Sequence, residues 1–234
     1  MASNRLEPQH HALYERTGEK MLEHLESAAA PADLLGALRW GLEELDQTFA
    51  ATPPSAKAAV ACRAGCDFCC HVPMDVQAHE VLFVADHIQA HFSPTELAAV
   101  IERTAVHRGR IAAATPAERT RLMLPCALLR EGQCSAYAGR PEACRSHHSS
   151  DAAVCRAYLS DANVAIEAAY IPALRARMFA VMLGLDQALA DTGFDSRDYD
   201  FGSALHEALT NSLCLVLWGR RRAAFPDSCL ADKI

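Results

Sequence analysis

Four cysteines fall within nine residues, in the segment CRAGCDFCC: Cys62, Cys66, Cys69 and Cys70. Four more follow as Cys126, Cys134, Cys144 and Cys155. Thiolates are soft ligands suited to zinc and to iron–sulfur clusters. Short spacers let one loop wrap a metal with backbone N–H groups turned toward the sulfurs, and Gly65 supplies the tight turn this needs. The adjacent side chains of Cys69 and Cys70 are expected to diverge, one ligating a first metal and the other serving a second metal, a bridge or redox chemistry. Eight sulfurs suffice for two tetrahedral zinc sites. Alternatively, four hold a [4Fe–4S] cluster and four remain for a second site or for redox work. Cysteine is also buried for packing alone, but packing does not explain four cysteines in nine residues. It does suit Cys214, set among Leu213, Leu215 and Val216, and Cys229 near the end of the sequence.

Other candidate chemistry is sparser. His71 follows the cysteine pair and His147 lies three residues after Cys144, so each is a possible ligand or a support for one. His87 and His91 have the i, i+4 spacing of a helical metal pair. The Glu of an HExxH motif is missing, so the pair reads as exposed helix histidines. Arg63, Arg130, Arg140 and Arg145 surround the cysteines, where cations would offset the negative charge of a thiolate site. Arg140 and Arg145 flank Cys144 and read as its supports, whereas the arginines between 103 and 121 read as a solvated helix face. Asp46, Asp75 and the other acids show no paired spacing that argues acid–base catalysis. No phosphate-binding or dinucleotide fingerprint is present.

The elements that must position these groups are mostly helices. The apolar periods predict helices over 5–29, from Pro31 to the Pro53-Pro54 break, over 75–92 and from Pro94 to about 113. Ser93-Pro94-Thr95-Glu96 is a capping box with proline at the first helical position, and Thr115-Pro116-Ala117-Glu118 repeats it for a short helix to about 124. Residues 126–137 predict a β-hairpin turning at Glu131-Gly132, which would bring Cys126 and Cys134 together. Arg140-Pro141 opens a short helix through Cys144. A long helical stretch over about 161–191, kinked at Pro172, and a last helix from 203 to 218 complete the chain. The expected fold is mainly α: a single helical domain over 1–234, with a cysteine-cluster core at 62–155 and flanking helices at 1–50 and 161–222. It encloses a cysteine-rich loop, a short hairpin and a metal centre.

The whole-chain numbers agree with such a protein. At 234 residues, 51% hydrophobic and 22% charged, it can bury a core without covalent staples. The net charge of −7 gives no general basic field for nucleic acid. No apolar run is long enough to span a bilayer. The N-terminal residues lack a charged-then-apolar signal pattern. A cytoplasmic location is therefore expected, where reduced thiols favour metal binding or redox chemistry over disulfides.

Taken together, the motifs resemble the YkgJ-type cysteine-cluster family. The shared pattern runs through Gly65-Cys66, Cys69-Cys70, Pro125-Cys126, Cys134, Tyr137, Arg140-Pro141 and Cys144-Arg145, with Ser149, Asp151 and Cys155 as an extension. The resemblance covers about 62–155 and implies a zinc- or iron-chelating, or iron–sulfur, protein. The sub-motif Cys62-x3-Cys66-x2-Cys69 also has radical-SAM spacing, but that reading needs a series of strands the chain does not show. The expected cofactor is an iron–sulfur cluster of [4Fe–4S] type, or otherwise zinc, on Cys62, Cys66, Cys69, Cys70, Cys126, Cys134, Cys144 and Cys155. Alternative roles are an enzyme using the centre for redox or, by analogy with longer flagellin lysine N-methylase relatives, methyl-transfer chemistry, or a thiol redox sensor. The expected partners are the metal or cluster and a further protein, with neither nucleic acid nor membrane.

Overall fold

The computed structural model describes residues 7–231, and the predicted helical positions Arg5 and Leu6 lie outside them. Proline sets many of the helix starts, because its fixed φ suits the first turn and its missing N–H is not needed there. It opens α1 (Pro8–Ser27), α2 (Pro31–Ala50), α3 (Pro54–Ala58), α5 (Pro94–Ala113), α6 (Pro116–Arg119) and α9 (Pro172–Asp191). The remaining helices are α4 (Ala78–His91), α7 (Glu142–Ser146), α8 (Ala152–Ser160), α10 (Phe201–Thr210) and α11 (Leu213–Gly219). The capping box of α5 forms as predicted: Ser93 Oγ accepts from the Glu96 N–H while the Glu96 carboxylate accepts from the Ser93 N–H. Among the described residues, no helix is long and apolar enough to cross a membrane.

The N-terminal half of the bundle is built on close backbone approach. At the crossing of α1 and α9, a Cβ on Gly184 would lie 2.6 Å from the Tyr14 carbonyl oxygen. Helix α2 packs on both, and α4 is buried from Ala78 to Ala85 and again at Ile88. Helix α10 packs on α4 and α5. The core runs continuously from Met21 and Leu45 through Val84, Met178 and Leu205 to Trp218.

Several expectations need correction. The helix expected from residue 75 begins at Ala78. Asp75–Gln77 is instead a strand, β1, paired antiparallel with β4 (Asp198–Asp200), with Val76 opposite Tyr199. That pairing joins segments about 120 residues apart, which local periodicity does not report. The long helix expected over 161–191 is confined to α9, because Pro172 starts a helix here rather than kinking one; upstream lie α8 and a 3₁₀ turn at Ile166–Ala169. The short helix expected to 124 stops at Arg119. The last helix is split, since Asn211 leaves the helical conformation between α10 and α11. The hairpin stands where expected: β2 (Leu129–Arg130) and β3 (Gln133–Cys134) pair across Glu131 and Gly132, both at positive φ (53° and 74°). Such turns match the twist of the flanking strands.

Candidate metal centre

Three segments bring the cysteines together. The first is the 62–71 loop, which tightens into a 3₁₀ turn over Phe68–His71 after Gly65 takes a φ of 82°. The second is the β2–β3 hairpin, tied to the loop by the Cys126 N–H donating to the Cys70 carbonyl at 2.7 Å. The third is the 141–155 segment. There Ser149 receives the Ala61 N–H on its carbonyl, and its own N–H points at Cys62 Sγ at 3.4 Å. Asp151 caps α8 by accepting from the N–H groups of Ala153 and Val154, which fixes the helix that carries Cys155. The extension residues Ser149, Asp151 and Cys155 are thus one structural unit behind the loop.

Electrostatic proximity sorts the sulfurs into two overlapping groups. Cys144 is near Cys126, Cys69 and Cys134, while Cys62 is near Cys66, Cys69 and Cys155. Cys69 belongs to both. Its thiol is raised far above the usual range, first by its hydrogen bond with Cys70 and then by burial. The vicinal thiols therefore interact with each other, where divergence was expected. Burial pushes Cys126 up to about 11 and Cys144 well above an ordinary thiol, and it also raises Cys62 and Cys134. Cys62, Cys69 and Cys144 nevertheless keep exposed surface, and Cys155 is buried. These sulfurs are crowded by protein yet reached by solvent.

Backbone donors already face these sulfurs. The Leu128 N–H points at Cys126 Sγ at 3.5 Å, and backbone hydrogen bonds at Cys126, Cys134 and Cys62 favour the thiolate form. Such N–H···S contacts also tune bound clusters. Arg145 and Arg140 are supports, as expected. Arg145 is buried and donates to the carbonyls of Arg140 and Ala138 and to Asp46, while Arg140 donates to Tyr137 O and to Asp46. They hold the turn between β3 and α7 against α2. Arg103 is not simply solvated, since its Nε donates to the Ala127 carbonyl at 2.6 Å beneath the hairpin.

The histidines divide. His71 Nε2 faces Asp67 Oδ2 at 3.6 Å, and His147 packs edge-on to Tyr170 with its Nε2 buried and unpartnered. His87 is half-buried against Gly139 and stacks on exposed His91, so only the second is the exposed histidine expected. Cys214 and Cys229 are core thiols, 1% and 0% exposed. Sequence reasoning missed a second polar group beside the cysteines, made of His79, Glu80, Glu142 and Asp186. These residues come from α4, α7 and α9 and share no spacing. The one available signal was a lone acid, Asp186, inside the apolar run from Met178 to Ala190.

Residues 61–167, just under half of the chain, match the family model CxxCxxCC, described as "Putative zinc- or iron-chelating domain". No curated protein and no solved structure matches the chain. The region matched, 61–167, contains the motifs from Gly65 to Arg145 that resemble the cysteine-cluster family.

Proposed function

We propose that this chain is a cytoplasmic cysteine-cluster protein whose centre is an iron–sulfur cluster of [4Fe–4S] type. The observation that carries the reading is the convergence of loop, hairpin and α7 on Cys69. Cys69, Cys126, Cys134 and Cys144 form the inner set, with Cys62, Cys66, Cys70 and Cys155 around it. More cysteines converge here than the four that a lone tetrahedral zinc takes, and the backbone N–H groups turned toward Cys62 and Cys126 suit a cluster. When bound, the group would supply redox or Lewis-acid chemistry. The protein's part is to hold the sulfurs, turn N–H groups toward them and leave one side open to solvent.

The centre also has a structural role in this reading, because it pins three segments that have little regular structure of their own. The continuous core supports one folded unit. A redox-sensor reading is favoured by one observation, the contact between the Cys69 and Cys70 thiols. Single Cys→Ser substitutions test the assignment. Cys69→Ser, Cys126→Ser, Cys134→Ser and Cys144→Ser should each lower bound iron or zinc per chain, whereas Cys214→Ser and Cys229→Ser should leave it unchanged. Equal metal content across all six variants would contradict the assignment.

A further inference from the structure

On the far side of α7 from Cys144 lies a group of donors that the cysteine centre does not use. Glu142 and Cys144 are two positions apart, so they point about 200° apart around the helix. Glu142 Oε1 meets Nε2 of His79, from the first turn of α4, at 2.9 Å. The same Nε2 lies 3.9 Å from Oδ1 of Asp186 on α9, and the three donor atoms are all within 4.8 Å of one another. The His79 and Glu142 side chains are 3% exposed and that of Asp186 is 28% exposed, so the group is buried on two sides and opens at Asp186. The Nδ1 of His79 is buried and has no hydrogen-bond partner, so the ring's polar engagement is entirely at Nε2, toward the two acids.

The group is short of positive charge. Glu80 lies beside it, with its oxygens taken by the N–H groups of Gln77 and Ala143, and adds a third carboxyl. Arg145 is the cation that acts on Glu142, and its donors are committed to Asp46 and two carbonyls. A first-row divalent ion bound at about 2.1 Å holds neighbouring N and O donors about 3.0–3.4 Å apart, a range bracketed by the observed 2.9 and 3.9 Å.

We propose that His79, Glu142 and Asp186 form a second metal site, taking a divalent cation of nitrogen and oxygen preference such as Mn²⁺, Fe²⁺ or Zn²⁺. Three protein donors leave coordination positions on the Asp186 side, where water or an anionic ligand can enter. The site shares no donor with the cysteine centre. The competing occupant is a proton shared between His79 and Glu142.

The test uses Mn²⁺, which favours oxygen donors over thiolates. The full-length, reduced, metal-free protein is titrated with Mn²⁺ alone, and free ion is read by electron paramagnetic resonance. The wild-type chain should take up about one ion, and so should Cys134→Ser, which removes a sulfur and leaves this site intact. Asp186→Asn, at the solvent-facing edge, should abolish the uptake, and His79→Gln provides a second removal of a donor. No uptake by the wild-type chain would overturn the proposal in favour of the shared proton. Unchanged uptake in Asp186→Asn and His79→Gln, or its loss in Cys134→Ser, would place the ion elsewhere and overturn it equally.

Discussion

Arg145→Lys keeps the charge beside the cysteine centre and removes the geometry that uses it. The guanidinium is 3% exposed and spans three acceptors: the Arg140 carbonyl at 2.8 Å, the Ala138 carbonyl and the Asp46 carboxylate. Two of these acceptors lie in the turn that follows Cys134, and the third lies on α2. A lysine ammonium is a point charge on a flexible stem and cannot serve a planar fork of acceptors. About two charge-assisted hydrogen bonds are lost, at roughly 1.5–3 kcal/mol each, and buried acceptors are left unpaired. The expected cost is about 3–5 kcal/mol. For a chain of this size that lowers the melting temperature by about 6–20 °C. Cys144 sits one residue away, so metal content should fall as well. Circular dichroism melts and metal analysis on the same preparations check both outcomes. Exposed Arg110→Lys is the control and should stay within about 0.5 kcal/mol of wild type. An Arg145→Lys protein that melts within about 2 °C of wild type with full metal content would refute the view that this side chain holds the turn in place.

Further outcomes follow from the packing and the charges. Gly184→Ala drives a Cβ to 2.6 Å from the Tyr14 carbonyl, so overpacking should cost about 1–3 kcal/mol in a denaturant melt. Gly36→Ala meets nothing within 4 Å on α2 and should stabilise by about 0.4–1 kcal/mol. Burial works to raise Asp195, but hydrogen bonds from Arg197, Tyr199 and the Ala224 N–H outweigh it and hold the carboxyl below its usual range. Its folded value lies below its unfolded one, so its stabilisation is present above about pH 4 and is lost as pH falls through the folded value. Melts from pH 6 down to pH 2 should therefore show a steeper acid loss for wild type than for Asp195→Asn, and equal slopes would contradict this.

The parts of the fold legible in the sequence were those with local causes. The starts at Pro31, Pro94 and Pro116, the Ser93–Glu96 box and the Glu131-Gly132 turn are each set by a few neighbouring residues, and they appear where the residues place them, whereas Pro172 opens a helix that was expected to begin earlier. The β1–β4 pairing and the α1–α9 crossing depend on segments far apart in the chain, and no period announces them. Helix α8 was missed because its start is a single Asp151 cap after a loop, with only one buried side chain, Cys155, to mark a face. The cysteine cluster was legible because soft ligands at short spacing have few other uses. The His79–Glu142–Asp186 group was not, since three elements contribute one donor each and burial alone distinguishes them from surface acids.

The central claim is that the cysteines hold an iron–sulfur cluster. The most direct measurement is the iron, acid-labile sulfide and zinc content of protein purified without oxygen, read together with its absorption spectrum. The account predicts a brown protein with matched iron and sulfide, whose colour is lost in Cys69→Ser. A colourless protein carrying only zinc, or no metal at all, would contradict it.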